Sequence, residues 1–272
     1  MRIRLDISYD GHNFMGFQRQ TELRSVQKEI EIVLSKIFNT PIVITASGRT
    51  DAKVHALNQV VTFTPTREIN DLEKLRYSLN CILPNDIHVN KIAFVDDTFH
   101  PRASAISKEY HYVLNMGEAN PFYENYRWEF KRKLDVSLMK QAMKCFIGEH
   151  NFMNFTTKEE DAHNYIRNIY SFDLIENGNE LTFIIKGNGF MRYMVRMIIG
   201  TIVMVGLHKE NISFISEKLN SKNRNTVIYK ALPNGLYLYK VFYKEDKQWF
   251  LIVITRTLKD VVMRLEKMKN MS

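Results

Sequence analysis

The sequence predicts an α+β protein built from two successive β-α-β-β-α-β units. Three observations carry this. Short apolar runs of period two alternate with longer runs of helical period, in the order strand, helix, strand, strand, helix, strand. That order then starts again near the middle of the chain. The chain has 272 residues, which suits about two domains, and 45% of them are hydrophobic, enough for two cores.

The first unit is expected over residues 1–102. Ile3, Leu5 and Ile7 alternate with Arg2, Arg4 and Asp6, the period of a half-buried strand. Tyr9-Asp10-Gly11 turns, and Phe14 to Gln20 mixes aromatics with a glycine and a cation. Ser25 reads as the N-cap of a helix whose apolar face holds Val26, Ile30, Val33, Leu34, Ile37 and Phe38. Pro41 precedes an expected strand from Ile42 to Thr45, and Gln59 to Thr64 reads as its partner. A second helix runs from Asp71 to Ile82, capped by Asn70 and stopped by Pro84, and the strand Ile87 to Val95 closes the unit. This is the ferredoxin-like arrangement, with antiparallel strands and both helices on the outer face of the sheet. The other face is left as a working surface.

The second unit is expected over residues 103–243. Tyr110, Tyr112 and Leu114 mark its first strand, and Asp135 to Ile147 its first helix. Gly148 to Asn164 reads as a long loop. Tyr165 to Ile175 and Glu180 to Lys186 read as a hairpin across Asn177-Gly178-Asn179. A helix from Phe190 to Leu207, a shorter one from Ile212 to Leu219 and a strand from Leu236 to Tyr243 follow. No sequence repeat accompanies the repeated element order. Residues 244–272 form an extension, with an added strand from Trp249 to Ile254 and an amphipathic helix from Leu258 to Met268. That helix either packs on the second unit or a neighbouring subunit, or lies on a membrane surface. Its apolar face lacks the aromatic anchors of the second kind.

Composition narrows the function. Lys and Arg number 38 against 30 Asp and Glu, a net +8 that favours an anionic partner, nucleic acid foremost. The two cysteines, Cys81 and Cys145, form no CxxC pair, and the eight histidines show no metal-ligand spacing, so no metal is expected. The N-terminus alternates charged and apolar residues, unlike a signal peptide. The longest apolar run, Met197 to Leu207, is too short to cross a bilayer. A cytoplasmic protein without membrane contact is expected.

Several residues stand out as carriers of chemistry. The stretch Ala46 to Ala56 is a long polar connection between two expected core strands, and Asp51 lies at its centre, beside Thr50 and Arg49. Such connections hold either ordinary Asx-type turns or functional groups. Arg192 and Arg196 stand four apart on a helix that reads as buried nearly all round. A guanidinium there needs an anion, either an internal carboxylate or a bound phosphate. Gly187-Asn188-Gly189, before that helix, either presents backbone N–H groups to an anion or simply turns. Tyr110 and Tyr112, with Arg102 and Lys108 nearby, are either core aromatics or a stacking platform for bases. There is no P-loop, no dinucleotide fingerprint and no Ser/His/Asp order. The inventory fits a carboxylate acting alone as nucleophile, and it fits a non-catalytic RNA-binding protein.

Five segments together resemble the TruA family of tRNA pseudouridine synthases. They are Gly48-Arg49-Thr50-Asp51-Ala52-Lys53-Val54-His55-Ala56; Tyr9-Asp10-Gly11 with Phe14 to Gln18; Phe99-His100-Pro101-Arg102 leading to Lys108-Glu109-Tyr110-His111-Tyr112; Gly187 to Arg196; and Ala231 to Leu238. The resemblance covers about residues 1 to 243. It implies a pseudouridine-synthase fold of two ferredoxin-like domains and isomerisation of uridine to pseudouridine without cofactor or metal. It also implies a homodimer acting on uridines 38, 39 and 40 of the tRNA anticodon stem-loop. By the same resemblance Asp51 is the essential aspartate, Arg196 the basic residue paired with it, and Tyr110 the tyrosine that stacks on the target base and helps remove the C5 proton. Arg49 enters the space left when the nucleotide flips out. Arg102 and Arg192 join Arg49 and Tyr110 as expected substrate-binding residues. Lys53 departs from the family pattern, which has glycine there. It is strained if that position needs a positive φ, and otherwise adds a cation beside the active site. The extension after Tyr243 also departs from the pattern. The departures leave another RNA, such as ribosomal RNA, as an alternative target.

Overall fold

The computed structural model of the chain describes residues 1–157, 165–221 and 223–244. In the first half the elements are β1 (Arg2–Tyr9), α1 (Val26–Phe38), β2 (Thr45–Ala46), β3 (His55–Phe63), α2 (Leu72–Ile82) and β4 (Ile87–Val95). The second half has β5 (Ala105–Asn115), β6 (Trp128–Glu129), α3 (Val136–Lys144), β7 (Gly148–Asn151), β8 (Ile166–Asn177), β9 (Glu180–Gly187), α4 (Met194–Gly206), α5 (Ile212–Asn220) and β10 (Leu236–Tyr243). All the strands join one sheet in the order β4-β1-β3-β10-β5-β9-β8-β7, with β2 beside β3 and β6 beside β5. The sheet is continuous across the expected boundary at residue 102.

The seam between the halves matters most. There β3 and β10 run parallel, pairing Tyr237 with His55 and Leu238 with Ala56, while the neighbouring pairs β1–β3 and β10–β5 are antiparallel. The loop that holds Asp51 therefore ends where the two halves meet. Buried side chains of both halves form one continuous core. The fully buried Ile3, Leu5 and Ile7 of β1 belong to it, as does nearly all of α4. Among the described residues no helix is long and apolar enough to cross a membrane.

Several expected elements differ. The strand from Ile42 to Thr45 shrinks to Thr45–Ala46. Side chains of α1 take its ladder donors: the Ile42 N–H donates to Ser35 Oγ at 2.9 Å and the Ile44 N–H to Glu31 Oε1 at 3.1 Å. Its partner starts at His55 rather than Gln59, which shortens the intervening loop. Ser25 occupies the N-cap position of α1, but its hydroxyl makes no capping bond. The first N–H groups of that helix go instead to the carbonyls of Gly16 and Phe17. The cap of α2 is Asp71, which accepts from the Lys74 N–H at 2.9 Å, not Asn70.

In the second half, the expected loop after Ile147 contains β7, paired with β8 from Gly148↔Ile169 to Asn151↔Ile166. Four residues with no apolar alternation give a strand no sequence signal. The helix expected from Phe190 begins at Met194, because Tyr193 is left-handed at φ 62° and breaks the helical path. Arg192 and Arg196 thus do not share a helix face. The expected strand Trp249 to Ile254 and the helix from Leu258 lie outside the described residues.

Candidate active site

A cavity of about 760 Å³ opens at the seam. Its walls are the segment Met15–Gln20, the loop before β3, Tyr110 on β5, and the connection from Phe190 into α4. The loop is held from several sides. The Phe17 N–H donates to the Thr50 carbonyl and the Lys53 N–H to the Phe14 carbonyl, both at 3.1 Å. Gly16 makes this approach possible: at φ +100° it has a backbone few other residues adopt, and a Cβ there would stand 3.1 Å from the Thr50 carbonyl. Gln59 donates to the Gly48 carbonyl at 2.9 Å, and the Thr50 and Tyr9 hydroxyls share a 2.8 Å hydrogen bond.

His55 anchors the far end. The Gly11 N–H donates to its Nδ1 at 3.0 Å, so the ring proton sits on Nε2, 2.9 Å from the Asn125 carbonyl. Burial lowers its pKa, which keeps this neutral form. The ring stacks on Tyr237 of β10 at 4.7 Å. The loop is thereby fixed to both halves of the protein.

Asp51 faces Arg196 across this scaffold, with Nη1 to Oδ2 at 3.4 Å. Arg196 is buried on the first turn of α4, and its Nε donates to the Ala231 carbonyl at 2.9 Å. Neither of the donors nearest Asp51 in sequence reaches it: Thr50 is taken by Tyr9, and Arg49 is exposed at the cavity mouth. Burial raises the Asp51 pKa, and Arg196 opposes the rise most strongly, with smaller help from Arg192 and Lys230. Desolvation wins, so the carboxyl is more basic than an ordinary aspartate. Among the described residues that line the cavity, Asp51 is the one carboxylate.

Tyr110 is 8% exposed at the cavity wall and meets Phe190 edge-on, centroids 5.2 Å apart. Burial raises its pKa, so the phenol stays protonated and presents a ring and a hydroxyl rather than a base. Tyr112 does not join it. It is fully buried, outside the cavity, and its hydroxyl donates to the Leu232 carbonyl at 2.9 Å. The expected platform of two tyrosines is thus one cavity residue and one core residue. Arg49, Arg102 and Arg192 are exposed around the cavity, Arg192 donating to the Tyr193 hydroxyl at 2.9 Å. The Asn188 N–H goes to the Asn168 carbonyl, and four residues separate Gly189 from α4, so this glycine pair is a turn and not a helix-start anion cradle.

Lys53 has φ 64°, the left-handed region. Its side chain lines a different cavity of about 540 Å³, with His12, Asn120 and Lys131. It adds no cation to the Asp51 cavity. Sequence reasoning missed Arg19 and Arg167 as cavity residues and gave Lys108 only a peripheral place. The available signal was that Lys108 is two residues from Tyr110, on the same strand face.

The family model described as tRNA pseudouridine synthase matches residues 7–102 and 142–244. The tRNA pseudouridine synthase A of Exiguobacterium sp. is 39% identical over 244 residues, covering 90% of this chain and 98% of that protein. The enzyme of that name from Thermodesulfovibrio yellowstonii is 40% identical over 255 residues, 89% of this chain and all of its own. That of Lactococcus lactis subsp. cremoris is 40% identical over 246 residues, 89% of this chain and 97% of its own.

Proposed function

The chain belongs to the tRNA pseudouridine synthase family, and from that premise we propose how its seam cavity works. The protein is an isomerase that converts uridine to pseudouridine in tRNA. Asp51 is the nucleophile in this reading. The Asp51 carboxylate bonds to C1′ as the glycosidic bond from N1 breaks, the base turns, C5 bonds to C1′ as the bond to the carboxylate breaks, and the C5 proton leaves as N1 gains one. No atom is gained or lost overall, and the residues involved need no cofactor. The observation that carries the assignment is that Asp51 is the one carboxylate among the described cavity residues, raised in pKa and facing a buried arginine. Such a group is more nucleophilic than a free aspartate and, among the described residues, is held by a single long contact, which leaves it able to react.

Arg196 orients and charges the nucleophile. Tyr110 supports the flipped base through its ring; its protonated state speaks against a role as the base that removes the C5 proton. Arg49 fills the gap left by the flipped nucleotide, and Arg102 and Arg192 take backbone phosphates. The strand orders β4-β1-β3 with β2, and β10-β5-β9-β8, support reading residues 1–102 and 103–243 as two ferredoxin-like domains, with 244–272 as an extension. The target in this reading is the anticodon stem-loop, at uridines 38, 39 and 40, gripped by a homodimer in the cytoplasm.

The test uses transcript tRNA tritiated at C5 of uridine. The wild type releases tritium and Asp51→Asn does not; release by that variant at the wild-type rate sinks the assignment. Mapping the product residues then decides between the anticodon stem-loop and another RNA.

A further inference from the structure

Three cations that line the cavity, Arg19, Lys108 and Arg167, have no part in the chemistry above, and Lys108 is the most telling of them. Lys108 stands on β5 two residues before Tyr110, so both side chains leave the same strand face. Its ammonium reaches under the Asp51 loop and donates to the Ser47 carbonyl at 2.6 Å. A Cβ on Gly48 would stand 2.8 Å from that nitrogen. The glycine that opens the loop motif therefore leaves the space the ammonium occupies. One carbonyl meets only one of its three N–H donors. Among the described residues no carboxylate pairs with it, and the charges that act on it most are Arg102 and Arg167, both repulsive. Burying an ammonium with a single carbonyl acceptor is unfavourable until an anion arrives.

We propose that Lys108, with Arg102 beside it, forms a phosphate subsite inside the catalytic cavity, which takes the backbone phosphodiester next to the reacting uridine. The inference rests on the reading of the cavity as the uridine site. A phosphodiester brings one negative charge and acceptor oxygens that suit an ammonium beside a guanidinium fork. Arg196 faces Asp51 and donates to the Ala231 carbonyl, so the subsite uses different cations. The same ammonium touches Ser47, four residues before Asp51. A bound phosphate thus ties the RNA backbone, the base-supporting strand of Tyr110 and the nucleophile loop to one point.

Burial, Arg102 and Arg167 lower the Lys108 pKa to about 8. The empty subsite therefore loses its central charge as pH rises through 8. Burial pushes both the Asp51 carboxyl and the Tyr110 phenol upward, and a guanidinium stays charged throughout.

The experiment measures equilibrium binding of transcript tRNA to the Asp51→Asn protein, with and without Lys108→Met, across salt and pH. Loss of one phosphate contact is expected to weaken binding about tenfold. It is expected to flatten the slope of log Kd against log salt by roughly 0.7 to 0.9. Between about pH 7 and 9, affinity falls with Lys108 present, and Lys108→Arg restores affinity and removes that fall. An unchanged salt slope in Lys108→Met, or a flat pH response with Lys108 present, overturns the proposal. So does normal binding by Lys108→Met in the otherwise wild-type protein, with turnover lost at saturating tRNA, since Lys108 then only props the loop through Ser47. If the wild type binds with the expected salt and pH behaviour but releases no tritium, the catalytic reading fails and the subsite stands.

Discussion

Glu31 on α1 and Asp51 in the loop before β3 are both carboxylates drawn out of bulk water toward an arginine, and they are built in opposite ways. The Glu31 side chain is 3% exposed and accepts from Arg19 at 3.0 Å, Gln27 at 2.8 Å and the Ile44 N–H at 3.1 Å. The Asp51 side chain is 19% exposed and, among the described residues, has one contact, at 3.4 Å to Arg196. Glu31 replaces a strand ladder, since it takes a backbone donor that β2 would otherwise use. Asp51 supports nothing but itself, while its backbone neighbours are tied down by others. A saturated carboxylate is a structural part, and an undersatisfied one on a rigid loop is free to attack.

The largest break in that comparison comes at Asp51. Asp51→Asn is expected to lower turnover by roughly 10⁴-fold or more, read by tritium release. Its effect on stability has the opposite sign to most buried carboxylates. The folded-state pKa is raised, so folding favours the protonated form; the stabilising contribution is full at low pH and is lost as pH rises through the raised value. Above that raised value the charged group works against folding, and there the amide should unfold at the same urea concentration as wild type or a higher one. A large loss of stability would place Asp51 with Glu31 as a structural group.

Arg196 comes next. Arg196→Met removes the strongest opposing influence on the Asp51 pKa and is expected to cost about 10²- to 10³-fold in kcat. In wild type, kcat/KM falls on the acid side as Asp51 takes up a proton. The variant moves that limb to higher pH, because burial then acts without its counter-charge. A pH profile that drops in height with no shift of the limb would mean that Arg196 serves the substrate rather than Asp51.

Glu31→Ala gives the contrasting result. It strands the Ile44 N–H and uncouples Arg19 and Gln27, at a cost of about 2 kcal/mol in urea unfolding. Turnover per folded molecule should stay within a few-fold, although Arg19 borders the cavity. A loss of kcat near that of Arg196→Met would join the two carboxylates into one functional network.

How far these roles could be read from sequence follows the range of the forces involved. Period and capping are local, so β1, α1, β4, the β8–β9 hairpin, α5 and β10 lie close to where alternation and helical spacing put them. The strand after Pro41 was not legible, because the acceptors of its donors sit on a helix several residues earlier. The start of α4 was not legible either, since the apolar run is continuous through Tyr193 and only its positive φ marks the break. Asp51 and Arg196 are 145 residues apart, and spacing alone gave each a need for a partner without saying which. The motif match supplied the pairing, and the β3–β10 seam supplies its physical cause. The insertion of Lys108 beneath Gly48 depends on a contact 61 residues away, which no periodicity announces.

Lys53 gives the smallest effect and the finest test of the loop. It is left-handed at φ 64°, three residues from a backbone that His55 and Gln59 hold in place, and a left-handed lysine costs on the order of 1 kcal/mol. Glycine removes that strain but adds backbone freedom to the unfolded chain, so Lys53→Gly is expected to stabilise by about 0.5 kcal/mol or less. Lys53→Ala keeps the strain and loses only the exposed side chain, so it should leave stability near wild type. Because the side chain faces the second cavity, away from Asp51, turnover at saturating tRNA should not change in either variant. If Lys53→Gly instead lowers kcat while Lys53→Ala does not, the strained backbone is itself part of what aims Asp51, and the rigidity that separates Asp51 from Glu31 begins at this residue.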